Sequence, residues 1–248
     1  EPEKQPFCKG EFARRKNKTE SLRGTFAGGP EGRRKAPDSL PRPVVVVMGG
    51  RSARERLELL ETLLDQADAI VVGGGLATAF LKARGGKVGR SVLEDGTVPS
   101  AARLLERTEA AGVKVFLPVD TLAANEISPQ ARPSLEGAMA LFDDKIAMDI
   151  GPRTVELFSN VIRRAGTVVW SGPMGILELP AFAEGTRGIA RALAQSNGIT
   201  IAAGEDTARA VEESGLSGQI TCVSHDSGMV SRYFALESQP EYAGMGCG

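Results

Sequence analysis

Glycine-bearing turns recur at four points in this 248-residue sequence, and each follows a short apolar run. The turns span residues 49–52, 73–75, 171–175 and 203–207. Glycine lets a ligand approach the backbone closely, and a helix that begins just after the turn points free N–H groups at a phosphate. A single such turn can equally serve tight packing between a strand and a helix. Four at one edge of a sheet favour a phosphorylated ligand.

The apolar runs that precede these turns predict the scaffold that positions them. They are Val/Ile-rich and span residues 44–48, 69–72, 113–117, 167–170, 199–202 and 219–223. Continuous apolar runs of this length suit strands that are buried on both faces. Helically spaced apolar residues separate most of the runs, which predicts an α/β fold with a doubly wound, mainly parallel, Rossmann-like sheet in three layers. In such a sheet the ligand crevice lies beyond the carboxyl ends of the strands.

Residues 1–42 differ in composition from the rest of the chain. They are rich in Gly, Pro and Arg, lack apolar periodicity, and hold 11 Lys/Arg against 6 Asp/Glu, a net charge of +5. Such a segment buries too little apolar surface to offset its ordering entropy. We therefore expect an extended basic arm before a single domain at residues 43–248. A solvated linker, or a remnant of something longer, is the simpler interpretation of the arm, and a phosphate- or RNA-binding tail is the alternative. The arm is also a candidate docking segment for a protein partner.

Composition argues against several classes of function. The formal net charge of −1 gives no electrostatic basis for a nucleic-acid partner. No apolar stretch approaches the ~20 residues that span a bilayer, and no signal peptide is expected. Three scattered cysteines, Cys8, Cys222 and Cys247, predict neither a zinc site nor a disulfide framework, and they favour a reducing, cytoplasmic location. The single histidine, His225, is expected at the surface. No P-loop, G-x-G-x-x-G or G-x-S-x-G motif is present.

Two runs are the most specific features of the sequence: DIGPRT at residues 149–154 and WSGPMGILE at residues 170–178. They resemble the D-x-G-P-x-[ST] and W-N-G-P-x-G-V-F-E patterns in the nucleotide-binding, C-terminal half of phosphoglycerate kinase. Further matches occur, in the same order and spacing, at residues 71–82, 117–120, 125–128 and 181–186. The resemblance covers about residues 43–245. It implies phosphoryl transfer between ATP/ADP and 3-phosphoglycerate in glycolysis.

The resemblance also implies a set of site residues. Adenine would lie between Gly73/Gly74 and Ala147/Met148, the carboxylate of Glu178 would bind ribose, and that of Asp206 would hold Mg²⁺ with the nucleotide. From the residues alone, Glu178 could instead be a solvated loop carboxylate and Asp206 an ordinary helix N-cap. The implied nucleotide-binding residues are Gly49, Gly50, Arg56, Gly73, Gly74, Ala147, Met148, Gly175, Ile176, Glu178, Gly204, Glu205, Asp206 and Thr207. The implied catalytic residues are Arg56, Gly204 and Gly228.

The sequence departs from the family pattern where phosphate must bind. Ser52 stands in place of the first lysine of the family's G-G-A-K-x-x-D-K turn, whereas Arg56 keeps the charge of the second. Phosphoryl transfer depends on positioning and electrostatics, so the loss of one cation lowers the rate by orders of magnitude. Glu205 and Asp226 add negative charge at turns that are glycine in the family, and Ser171 replaces an asparagine.

Two hypotheses follow from this mixture of matches and departures. Nothing in residues 1–42 resembles the family's acid-binding domain, and a segment of that length cannot form one. In the first hypothesis the chain is a kinase half that meets 3-phosphoglycerate through a separate domain or chain. In the second it is a catalytically inactive pseudoenzyme that acts as a binding or structural subunit.

Overall fold

A computed structural model of the chain describes residues 40–230, in which strands and helices alternate. The strands are β1 (Val44–Met48), β2 (Ala69–Val72), β3 (Lys87–Val88), β4 (Lys114–Phe116), β5 (Asp120–Ala124), β6 (Ser134–Gly137), β7 (Ala140–Leu141), β8 (Ile146–Ile150), β9 (Thr167–Ser171), β10 (Ile199–Ala203) and β11 (Cys222–Ser224). The helices are α1 (Ala53–Leu63), α2 (Gly74–Ala83), α3 (Thr97–Ala110), α4 (Pro152–Arg163), α5 (Glu184–Gln195) and α6 (Glu205–Glu213).

The main sheet has six strands in the order β11-β10-β9-β1-β2-β4, and every neighbouring pair is parallel. Side chains of successive residues in a strand point to opposite faces, and β1 shows this directly. Val44, Val46 and Met48 pack with α1, α2 and α3, whereas Val45 and Val47 pack with α4, α5 and α6. The predicted three-layer, doubly wound α/β fold is confirmed.

The chain reverses its direction of travel across the sheet at β1. It moves from β1 through β2 to β4, then returns to the other side of β1 for β9, β10 and β11. The turns after β1 and β9 therefore lie side by side, and the Gly49 N–H donates to the Ser171 carbonyl at 2.9 Å. Ligands of open α/β sheets bind at such a switch point, so the fold selects the turns that begin at Gly49 and at Gly172.

A second, smaller sheet was not predicted. Strand β5 pairs antiparallel with β6 and β8, and the short strands β3 and β7 form a separate pair. The side chains of β6 alternate only between half-buried and exposed, so its sequence carries little apolar signal.

Motif residues 149–154 join this small sheet to the main domain. The Asp120 carboxylate accepts hydrogen bonds from the N–H groups of Arg153 (3.1 Å) and Thr154 (2.8 Å), and so caps α4. A Cβ on Gly151 would lie 2.4 Å from the Asp120 carboxyl carbon. The glycine is therefore required by contact with Asp120.

The last predicted strand, residues 219–223, begins later than expected. Residues Ser217–Gln219 form a 3-10 turn, and β11 starts only at Cys222, which pairs with Ile201 of β10. The predicted arm lies outside the described residues except at positions 40–42. There Leu40 is buried against the core and the Pro41 carbonyl accepts a hydrogen bond from Thr167 Oγ1 at 2.9 Å. None of the helices between residues 40 and 230 is long and apolar enough to cross a bilayer.

Candidate functional site

A cavity of about 830 Å³ opens at the carboxyl edge of the main sheet, where the small sheet faces α2. Its wall includes residues from the turns after β1 and β9, from α2, from β8 and from the start of α6. The predicted nucleotide-binding residues on this wall are Gly50, Gly74, Ala147, Met148, Gly175, Ile176, Glu178 and Asp206. The fold thus brings residues that are up to 156 positions apart, Gly50 and Asp206, onto one cavity.

The apolar part of the cavity is held by fixed backbone. The Ala147 N–H on β8 donates to Ser91 Oγ at 2.9 Å, and the Ile176 N–H donates to the Phe182 carbonyl at 2.9 Å. The buried Thr186 hydroxyl accepts from the N–H groups of Met174 (3.0 Å) and Gly175 (3.2 Å). The motif at residues 181–186 therefore shapes the loop after β9, which forms one wall of the cavity.

The predicted glycines of the first two turns pack against protein. A Cβ on Gly49 would lie 2.3 Å from the Pro173 carbonyl oxygen, and one on Gly73 would lie 2.3 Å from Met174 Sδ. Gly74 has φ +59°, and its Cβ would lie 2.7 Å from the Gly50 nitrogen. Tight packing, rather than approach of a ligand, therefore explains Gly49 and Gly73, which do not line the cavity. Gly74 serves packing and also borders the cavity.

Two carboxylates and two arginines meet at the mouth of the cavity. Arg209 Nη2 lies 2.9 Å from Asp206 Oδ1 and 3.5 Å from Glu178 Oε1. Arg51 Nη2 lies 3.9 Å from the same oxygen of Glu178. The N-cap of α6 is Gly204, so the alternative in which Asp206 is the N-cap is wrong. Sequence reasoning missed Arg209, although its position three residues after Asp206 on a helix places the two side chains together.

Two of the predicted catalytic residues, Arg56 and Gly204, form a second group around Ser171. Arg56 Nη1 donates to Ser171 Oγ at 2.8 Å, and burial lowers the pKa of Arg56. A Cβ on Gly204 would lie 3.7 Å from Ser171 Oγ and 3.8 Å from Ser227 Cβ, and Gly228 is the next residue. This group does not line the cavity, although Gly50 borders both: its Cβ would lie 3.4 Å from Arg56 Nε.

Ser52 occupies the N-cap of α1 without a side-chain capping bond. The Glu94 carboxylate caps the helix instead, because it accepts from the Ala53 N–H at 2.7 Å and the Arg54 N–H at 3.4 Å. An acidic group is favourable at a helix N-terminus, the same place that attracts phosphate. The donors that would attract a phosphate at α1 are therefore engaged by a carboxylate that sequence reasoning did not identify.

The acidic residues expected to repel phosphate, Glu205 and Asp226, do not line the cavity. Glu205 Oε2 lies 3.0 Å from His225 Nδ1, and Glu212 Oε1 lies 3.0 Å from His225 Nε2. The hydrogen bond to Glu212, and to a smaller extent that to Glu205, raises the pKa of His225. His225 is exposed, as predicted. Asp226 Oδ1 accepts the Gly228 N–H at 2.8 Å and so closes its own turn.

Thr207 is buried at the first turn of α6. Its hydroxyl accepts the Gly172 N–H at 2.7 Å, which ties the turn after β10 to the turn after β9. The predicted phosphate contacts at Gly204 and Thr207 concern this helix N-terminus, and they stay predictions.

Asp149 lies on the cavity wall as a buried carboxyl group. Its oxygens accept the Gly185 N–H at 2.7 Å and the Ile150 N–H at 2.9 Å. Burial nevertheless raises the pKa of Asp149 to about 7. A Cβ on Gly175 would lie 2.3 Å from Asp149 Oδ1, so the loop after β9 packs directly on this group.

The carboxylate of Asp206 fits the Mg²⁺ expected with a nucleotide. Between residues 40 and 230 no group of three or more His, Cys, Asp or Glu side chains could hold a metal by itself. Mg²⁺ at nucleotide sites is usually held by one or two carboxylates together with phosphate oxygens and water. Asp206 supplies one such carboxylate on the cavity wall.

Comparison with known proteins gives the family of the chain. A sequence profile of the family described as phosphoglycerate kinase matches residues 31–235. Phosphoglycerate kinase of Bdellovibrio bacteriovorus is 40% identical over 199 residues, which are 80% of this chain and 50% of that protein. The Thermomicrobium roseum enzyme is 41% identical over 202 residues, or 82% of this chain and 52% of that protein.

The structural comparison gives the same result. The solved structure of phosphoglycerate kinase from Coxiella burnetii is similar with a TM-score of 0.75 and 35% sequence identity, covering 78% of this chain and 51% of that one. The chain spans about half the length of the curated relatives it matches. With a family profile over most of its length and a matching fold, the chain belongs to the phosphoglycerate kinase family.

Proposed function

We propose that the chain binds ATP or ADP with Mg²⁺ in the cavity at the switch point. There it serves as the nucleotide half of phosphoryl transfer between ATP/ADP and 3-phosphoglycerate. One observation carries the proposal: the carboxylates of Glu178 and Asp206 lie on the same cavity as the apolar wall of Met148 and Ile176. A nucleotide needs this combination, because its base is flat and apolar while its ribose and phosphates are polar.

Adenine is proposed to lie between Gly74 and the Ala147/Met148 edge of β8, beside Ile176. Met148 is buried, and the hydrogen bonds of Ala147 and Ile176 keep the two sides of this slot in place. A slot that exists before binding does not have to be ordered by the ligand, which favours affinity.

Ribose and phosphates are proposed to lie at the polar mouth. A carboxylate accepts hydrogen bonds from both ribose hydroxyl groups, and Glu178 is half-exposed in a position to do so. Asp206 would hold Mg²⁺ bound to the phosphates, while the α6 N-terminus at Gly204 offers N–H donors. Arg56, whose guanidinium reaches Ser171, supplies the positive charge on the adjacent catalytic group.

The acceptor acid is proposed to come from a separate domain or chain. The chain spans about half the length of its curated relatives. We therefore propose that 3-phosphoglycerate binds to a partner domain or chain and meets the nucleotide there. A protein partner docking through the arm at residues 1–42 also stays a proposal.

A second candidate function is supported by Ser52. The hydroxyl is neutral where the family has a lysine, and the neighbouring helix N-terminus is capped by Glu94. A chain with such a site would bind nucleotide without transferring phosphate. The second candidate is therefore a pseudoenzyme that acts as a binding or structural subunit.

Calorimetric titration of the full chain with ADP and ATP, with and without Mg²⁺, tests nucleotide binding. We expect binding in the micromolar-to-millimolar range and a loss of roughly tenfold or more in Glu178→Ala, since hydrogen bonds to a charged group contribute about 1.5–3 kcal/mol. Glu156→Ala is the matched control, because this exposed glutamate on α4 does not line the cavity. Absence of heat from the folded chain, or equal affinities in the two variants, refutes the proposed site.

Turnover separates the two candidates. The chain is mixed with the acid-binding domain of a phosphoglycerate kinase, complex formation is verified, and ATP formation is measured. Turnover that rises in Ser52→Lys supports the kinase half, because the restored cation stabilises the phosphoryl group in flight. A complex that binds nucleotide but gives no turnover, even with Ser52→Lys, supports the pseudoenzyme.

A further inference from the structure

The proposed contacts to adenine, ribose and Mg²⁺ leave the two arginines at the cavity mouth without a role. Arg51 lies in the turn after β1, and Arg209 lies in the second turn of α6. Their Nη2 atoms approach the same oxygen, Glu178 Oε1, at 3.9 Å and 3.5 Å. Two guanidinium groups from different elements therefore converge on one anionic point at the entrance.

These contacts are easily exchanged for another anion. The side chain of Arg51 is 93% exposed and that of Arg209 is 42% exposed, and ion pairs between exposed groups contribute little to stability. A phosphate offers more negative charge than a carboxylate and accepts paired N–H donors from a guanidinium. A polyphosphate arriving at the mouth thus competes favourably with Glu178 for both arginines.

Position adds to this argument. Arg51 is the residue next to Ser52, where the loop lacks a lysine charge, and Arg209 lies 2.9 Å from Asp206. Glu205, which could have opposed an anion here, is hydrogen-bonded to His225. Two guanidinium groups therefore lie at the part of the entrance where the phosphates of the proposed nucleotide would lie.

We infer that Arg51 and Arg209 are a polyphosphate-binding pair that exchanges Glu178 and Asp206 for the phosphate oxygens of the incoming nucleotide. Once the arginines move to phosphate, Glu178 is released to the ribose and Asp206 to Mg²⁺. The inference deepens the proposed function and rests on the same cavity. It names the residues that select a di- or triphosphate over an uncharged nucleoside.

Inorganic tripolyphosphate tests the pair without the base and sugar. Its affinity for the full chain is measured by calorimetry in low salt for wild type, Arg51→Gln, Arg209→Gln and the double variant. We expect each single substitution to weaken binding about tenfold, as the loss of a charge-assisted hydrogen bond does. Arg187→Gln is the matched control: Arg187 is also a partly exposed arginine paired with a glutamate, but its partner Glu184 does not line the cavity, whereas Glu178 and Asp206, the partners of Arg209, do.

Each outcome decides the inference. Weaker tripolyphosphate binding in the Arg51 and Arg209 variants, together with unchanged binding in Arg187→Gln, supports the inference, and thermal melts establish that all variants are folded. No tripolyphosphate binding by wild type, or equal affinities across the set, overturns it. A mixed result separates the two proposals. If tripolyphosphate binding depends on the arginines, but ADP binds no more tightly than tripolyphosphate and Glu178→Ala leaves the affinity for ADP unchanged, the arginine pair is supported and the adenine-nucleotide proposal fails.

Discussion

Asp149→Asn should remove a large pH dependence from the stability of this protein. Burial raises the pKa of this carboxyl group from 3.8 to about 7, against the opposing effect of hydrogen bonds from Gly185 and Ile150. At 1.36 kcal/mol per pKa unit, the shift corresponds to about 4 kcal/mol. The folded state therefore holds the proton more tightly than the unfolded state does.

The sign of the effect follows from that difference. Between about pH 4 and pH 7 the folded protein binds more protons at Asp149, so the free energy of unfolding falls as the pH rises and levels off above pH 7. Asparagine cannot ionise and keeps one carbonyl acceptor for the two N–H groups. Losing the other hydrogen bond shifts the stability of Asp149→Asn by an amount that does not change with pH.

Urea unfolding of wild type and Asp149→Asn from pH 4 to pH 8 measures the effect. We expect the stability of wild type relative to the variant to fall by about 4 kcal/mol over this range. The raised pKa of His225 also makes stability fall with rising pH, above 6.5, so both proteins are measured with and without His225→Gln. A difference that is constant with pH would refute the reasoning, because it would mean that the Asp149 carboxyl is not desolvated in the folded state.

Two further predictions concern the turns around the site. Gly74→Ala should lower the free energy of unfolding by roughly 1–3 kcal/mol more than Gly112→Ala, because both glycines have positive φ but a Cβ meets the Gly50 nitrogen at 2.7 Å in the first case and nothing within 4 Å in the second. Urea unfolding measures both, and equal losses would contradict the assigned contact. NMR titration should give a pKa above 6.5 for His225, and Glu212→Gln should lower it. An unchanged value would show that the hydrogen bond to Glu212 does not form in solution.

The sequence alone determined the main sheet and the edge at which the site lies. The valine-rich run at β1 is buried along its whole length, and its alternate residues pack on the two faces of the sheet. Apolar period and strand–helix alternation are local properties, so they can be read without tertiary contacts. The same edge of the sheet could be assigned from the glycine turns, because parallel strands end together. The ligand-binding roles of Glu178 and Asp206 were predicted from the family resemblance, and the fold places both residues on one cavity.

Only the tertiary structure decided which side chains meet. The Asp120 cap of α4 joins residues 34 apart in sequence, and the Glu94 cap of α1 joins residues 41 apart. Neither contact has a local signature, since a carboxylate caps whichever helix the fold brings to it. The partner of Glu205 also has no local signature. The sequence predicted that its charge would repel phosphate, whereas in the structure its carboxylate is hydrogen-bonded to His225. Residue type and spacing determined the elements of this protein, and the packing of those elements determined which of its charges reach the cavity.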